Sequence, residues 1–198
     1  MKKSQFWIWF IPLFLIFCVG LYILLNNTSK VETKPEEVLE ISKDAQKIKE
    51  DYERLNNESI KVNLSINNSY VISSKELIED LLNNNNGIIY FGEVSSYASR
   101  KNVSLLNDVL QTTSLNKVYY LNIANIDDEY SNYLKNKLEI NTINAGDTYL
   151  IKEGKVINSI KADKYDNDKE LTNEEKEKII KEYQEKIYDL IEKCDEHC

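Results

Sequence analysis

A chain of 198 residues has room for one ordinary domain with additions at its ends. Its 42% apolar and 29% charged residues suit a folded body rather than a disordered one. The formal net charge of −8 repels phosphate backbones, so nucleic acid is not an expected partner.

The first element is the uncharged run "FWIWFIPLFLIFCVGLYILL", from Phe6 to Leu25. As a helix it is long enough to cross a hydrocarbon core of about 30 Å. Trp7 and Trp9 stand near its start, where indole rings favour the membrane interface. A cleaved signal peptide is the competing reading, but it calls for a shorter apolar stretch and a small-residue cleavage site. "LIFC" around Cys18 resembles a lipoprotein box, with Phe17 where such boxes place a small residue. The expectation is a single uncleaved anchor over residues 1–25. The large C-terminal body favours an extracytoplasmic placement, although Lys2 and Lys3 on one side nearly balance Lys30 and Lys34 on the other.

Residues 26–65 read as a linker containing an amphipathic helix. Pro35 stands in the first turn with acidic residues after it. Val38, Ile41, Ala45, Ile48, Tyr52 and Leu55 recur at alternating spacings of three and four, one seam along the helix. A seam from Val38 to Leu55 serves either a membrane-proximal homodimer or a helix packed on its own domain.

Strands and helices then alternate through residues 66–198, which defines an α/β layered fold. Tyr70 to Ile72 is a short strand, and Ser73 with Glu76 forms a capping-box pattern for the helix that follows. Gly87 to Phe91 is a buried apolar strand. A turn, "GEVSS", leads into a helix reaching about Leu110. "KVYYLNI" is the next strand, and Asp127 to Leu138 the next helix. "DTYLIKEGKVINSI" reads as a hairpin turning at Glu153-Gly154, and Thr172 with Glu175 opens a final helix.

This element order, the stretch "IIYFGEVSSYASR" and the hairpin "TYLIKEGKVI" together resemble a thioredoxin-fold domain. The likeness is greatest to the membrane-anchored thioredoxin-like proteins of Gram-positive bacteria, some called bacteriocin transport accessory proteins. It implies a mixed sheet flanked by helices. Position by position, Ser96 falls on the family's nucleophilic cysteine and Ser99 on its resolving one, with Tyr97 and Ala98 between them and Arg100 after. The cis-proline of the family falls on Asp147, and no proline follows Pro35, so an ordinary trans loop is expected there.

Thiol–disulfide exchange needs an attacking thiolate and a second sulfur to resolve the mixed disulfide. Ser96 and Ser99 supply neither, and the expectation is that Ser95 or Ser96 caps the helix instead. A serine hydrolase would need a base, and His197, next to the chain's last residue, is the one histidine. The resemblance therefore implies a domain without catalytic residues at this site and without a cofactor. Its surface around Tyr97, Arg100 and Asp147 would hold a protein or peptide, because that surface holds extended polypeptide in the family.

The tail "CDEHC" carries the two cysteines outside the apolar run. Cys194 and Cys198 continue the helix face formed by Ile180, Tyr183, Ile187, Leu190 and Ile191. Cα atoms four apart on a helix lie about 6 Å from each other, within disulfide range. Packed or free thiols come next, and a metal site drawn from Cys194, Asp195, His197 and Cys198 last, because structural zinc usually needs a second ligand pair. A thiol–disulfide oxidoreductase working through Cys194 and Cys198 is the competing function. A low-pKa thiolate, however, is disfavoured at a helix C-terminus beside Asp195 and Glu196.

Overall fold

A computed structural model describes residues 35–65, 70–113, 115 and 117–195, of which 35–42 and 192–195 are described by their backbone alone. The run from Phe6 to Leu25 lies outside the described residues. Among the described residues, no helix is long and apolar enough to cross a membrane.

In chain order the elements are α1 (Pro35–Glu53), β1 (Tyr70–Ile72), α2 (Lys75–Asn84), β2 (Gly87–Gly92), α3 (Tyr97–Leu110), β3 (Val118–Asn122), α4 (Asp128–Leu138), β4 (Thr148–Lys152), β5 (Lys155–Ile160) and α5 (Asn173–Asp195). Two single turns of 3-10 helix follow β3 and β5, the second at Asp163–Tyr165. The five strands form one mixed sheet in the order β1-β3-β2-β4-β5. β1 and β2 run parallel to β3, while β4 is antiparallel to β2 and β5 to β4.

The central strand explains the layering. β2 is buried along its whole length, and its side chains alternate between faces, as strand geometry requires. Ile88 and Tyr90 enter one apolar core with Val103 and Leu106 of α3 and Tyr183 and Ile187 of α5. Ile89 and Phe91 enter the other core with Ile78 of α2 and Leu134 of α4. Burying each such side chain contributes about 1.5–3 kcal/mol.

α1 belongs to the first core. Ala45, Ile48 and Tyr52, three of the seam positions, are buried there. The compact unit begins at Leu39 and so takes in most of the helix that the sequence assigns to the linker. The stretch after α1 is pinned as well. Asn56 brackets Val62, donating to its carbonyl and accepting from its N–H at 2.8 Å each, and Ile60, Val62 and Leu64 alternate inward.

Several local expectations are met and one shifts by a residue. Thr172 and Glu175 cap reciprocally, Glu175 Oε2 accepting from Thr172 N at 2.8 Å and Thr172 Oγ1 from Glu175 N at 3.3 Å. The hairpin turns where expected, with Glu153 and Gly154 both at positive φ (49° and 73°), the backbone that a tight hairpin uses. At α2 the cap is Ser74 rather than Ser73. Ser73 is buried and its hydroxyl donates to Val71 O, which leaves the next serine to receive Leu77 N–H.

Both margins of the sheet carry a side-chain guard. At β1 the outward N–H of Ile72 donates to Asp44 Oδ2 at 2.9 Å. At β5 the carbonyl of Ser159 accepts from Lys186 Nζ at 2.7 Å.

The last residue of β2, Gly92, is glycine for a steric reason. A Cβ there would fall inside the Tyr120 ring, which lies across the glycine from β3. Overpacking of a rigid core costs about 1–3 kcal/mol. Gly92→Ala should lower unfolding stability by at least that amount in denaturant titration, and the loss should shrink when Tyr120→Leu is added.

Candidate functional site

The turn at residues 93–96 connects β2 to α3, and three segments meet there. Ser96 is the N-cap of α3, its hydroxyl oxygen accepting from Ser99 N at 3.2 Å. This is the capping role expected for Ser95 or Ser96. Asp166, beyond the 3-10 turn after β5, approaches the same helix end: its Oδ1 accepts from Ala98 N at 3.1 Å and from Ser96 Oγ at 3.2 Å. A carboxylate here also complements the positive end of the helix dipole. The third segment precedes β4. Gly146, at φ +87°, passes so close to α3 that an added Cβ would lie 2.9 Å from the Ala98 backbone.

Ser99 is fully buried and belongs to a chain of hydroxyls. Its Oγ lies 2.6 Å from Tyr52 OH and 3.2 Å from Tyr90 OH, and accepts from Glu93 N at 3.1 Å. Tyr90 OH donates to Ser99 O at 2.7 Å, and Tyr120 OH donates to Tyr52 OH at 3.4 Å. Each hydroxyl has one proton, so a single direction satisfies the series: Tyr120 to Tyr52, Tyr52 to Ser99, Ser99 to Tyr90, Tyr90 to the Ser99 carbonyl. Burial raises the pKa of the Tyr52, Tyr90 and Tyr120 phenols, which keeps all three protonated and able to donate. Larger atoms at this position would have to displace three polar neighbours.

Two of the three residues expected on a binding surface lie inside the molecule. Arg100 is fully buried. Its Nε donates to Ile60 O at 2.7 Å, Nη1 to Tyr52 O at 2.9 Å and Val94 O at 3.0 Å, and Nη2 to Asn56 Oδ1 at 2.8 Å. Desolvation lowers its pKa from the ordinary arginine value. Asp147 is also fully buried: Oδ1 accepts from Ala162 N at 2.9 Å, and Oδ2 from Lys161 Nζ at 3.0 Å and Tyr149 OH at 3.1 Å. Lys161 Nζ donates to Tyr149 OH as well. Its backbone completes the link, Asp147 O accepting from Phe91 N at 2.9 Å. Asp147 therefore joins β4 to β2 and to the segment after β5. Of the three, Tyr97 is the one left partly exposed.

Lys101 is a structural anchor that the sequence does not flag. It is buried, and its ammonium donates to Tyr165 O and Asn167 O, each at 2.8 Å, and to Asn167 Oδ1 at 3.2 Å. These carbonyls flank Asp166, so Lys101 fixes the loop that presents the carboxylate. Burial lowers its pKa, opposed first by the charge of Asp166. The signal for this arrangement is the unbroken polar run "SRKN" within a helix whose partners lie on both sides.

At the other end of the chain, Cys194 lies in α5 by its backbone, and Cys198 and His197 lie outside the described residues. The disulfide, free-thiol, metal and tail-oxidoreductase readings thus fall there too. Among the described residues, no group of three or more metal-binding side chains occurs. Compared with known proteins, the chain matches no family model, no curated protein and no solved structure.

The hydroxyls separate by partnership, and mutation should show it. Ser99→Ala leaves the Glu93 N–H and the Tyr52 O–H without an acceptor, which costs about 1–3 kcal/mol for each donor stranded. The Tyr70 hydroxyl is buried without a partner, so Tyr70→Phe should leave stability unchanged or raise it by up to about 1 kcal/mol. Denaturant unfolding of both variants tests the contrast. The phenols also set an alkaline limit. Their folded pKa values lie above the ordinary value of about 10, so the stability they give is complete below pH 10 and is lost as pH rises through the folded values. Phenolate absorbance of the buried group should appear together with loss of near-ultraviolet circular dichroism, not before it.

Proposed function

We propose that the protein is a thioredoxin-like domain, displayed outside the cell on an N-terminal membrane anchor, that has lost dithiol chemistry and acts as a protein- or peptide-binding accessory module. The mixed five-stranded sheet flanked by helices is compatible with that fold. The observation that carries the reading is Ser99. Its hydroxyl is committed on three sides to Tyr52, Tyr90 and Glu93 N–H at hydrogen-bond distances suited to oxygen. The position expected to hold the resolving sulfur is thus built around a hydroxyl, and Ser96 is taken up by capping and by Asp166. The carboxylate beside Ser96 is Asp166, whose Oδ1 also accepts from Ala98 N and so serves the helix end, while the fully buried Ser99 faces phenols rather than a base.

What remains at the turn is shape. The partly exposed Tyr97 stands where the turn, the segment before β4 and the segment after β5 converge, and an extended polypeptide would lie across these backbones. Recognition there rests on main-chain groups and the Tyr97 ring, not on Arg100 or Asp147.

A photo-crosslinking residue at position 97 in intact cells tests the binding reading. A discrete polypeptide captured from position 97, and not from the exposed Leu77 on the opposite core layer, is the expected result. Equal capture from both positions, or none from 97, rejects it. The purified protein should show no turnover of a model disulfide, and Ser96→Ala with Ser99→Ala should leave that baseline unchanged. Retention in membranes through alkaline carbonate, with the N-terminus intact, is expected of the anchor, and a mature chain beginning near Asn26 would reject it.

A further inference from the structure

The segment from Leu39 through residue 65 belongs to the compact unit as a strap, and several of its polar contacts converge on one place. The Arg100 guanidinium takes three of its four acceptors from the strap: Tyr52 O, Asn56 Oδ1 and Ile60 O. The fourth, Val94 O, belongs to the turn at residues 93–96. A second path runs beside it. Tyr52 OH bonds Ser99 Oγ at 2.6 Å, and the same Ser99 Oγ accepts from Glu93 N at 3.1 Å. Both the N–H of Glu93 and the carbonyl of Val94 are therefore held by groups that the strap also holds.

We propose that the strap is a conformational relay, in which the seating of α1 and residues 54–64 sets the shape of the turn before α3. The physical basis is the buried charge. If the strap lifts, the guanidinium loses three uncharged acceptors at once and cannot stay in its buried position without them. It must follow the strap or turn to water, and either motion pulls on Val94. Contacts that converge on one side chain make the strap seat or lift as a unit. The chain that enters α1 comes directly from the N-terminal segment, so a force or a contact at that end acts on the turn through this route. The relay does not depend on what the turn binds.

The test perturbs the strap at a residue that does not touch the turn and reads the turn. In Asn56→Ala the strap loses both its bracket on Val62 and one link to Arg100. Amide hydrogen exchange of the full-length protein should then quicken about tenfold at Val62, the scale of one lost hydrogen bond, and by a similar factor at residues 93–97. Tyr52→Phe, which removes only the hydroxyl path, should quicken Glu93 without the same effect at Val62. Arg100→Lys keeps the charge but lacks the fork, and should quicken both segments together. A rise confined to residues 54–64 in Asn56→Ala and Arg100→Lys, or no rise in either segment, overturns the relay.

Discussion

Removing a guanidinium from water costs several kcal/mol unless its N–H groups find acceptors in the protein. At Arg100 those acceptors are three backbone carbonyls and one amide oxygen, with no carboxylate among them. The Tyr52 ring adds a face 5.9 Å from the guanidinium carbon. Lysine, with a point charge and no planar fork, cannot reach partners spread this way. The next residue, Lys101, is buried too and sends its ammonium to the loop on the other side. Two adjacent cations thus tie the first turn of α3 to the chain before it and to the chain after it. The turn at residues 93–96, the hydroxyl series and the placing of Asp166 all depend on these two ties.

Much of the fold was legible because its signals are local. Strand β2 declares itself by a continuous apolar run, the hairpin by Glu153-Gly154, and α5 by a capping box. The helical period of α1 was equally plain, but the surface that receives its seam was not. An apolar stripe has the same spacing whether it faces a second copy or its own core, and only the folded chain places Ala45, Ile48 and Tyr52. The cap at α2 slipped by one residue because two serines stand together and tertiary burial decides which one turns inward.

The candidate site was legible in part. Ser96 as a cap follows from its place between a turn and a helix. Arg100 and Asp147 were expected at a surface because the resemblance sets them around the site that holds extended polypeptide in the family. Arg100 finds two backbone carbonyls 40 or more residues away, a third six residues away and the amide oxygen of Asn56, and Asp147 finds its strand neighbour, the next segment and its lysine. Backbone acceptors carry no residue type, so nothing in the sequence marks them. Tyr52 and Tyr120 are similar: the hydroxyl series joins two helices and two strands, and these two tyrosines stand 68 residues apart in the chain.

The sheet's two margins carry a different consequence. β1 and β5 each present a row of backbone groups that a second sheet could join, and Asp44 and Lys186 each occupy one group of these rows. One is an acid on the strap and the other a base on the last helix, so the margins are blocked by opposite charges. Stacking of copies edge to edge would have to displace a carboxylate at one end and an ammonium at the other. The two guards are remote from the turn, and each holds only while the strap or the last helix stays in place.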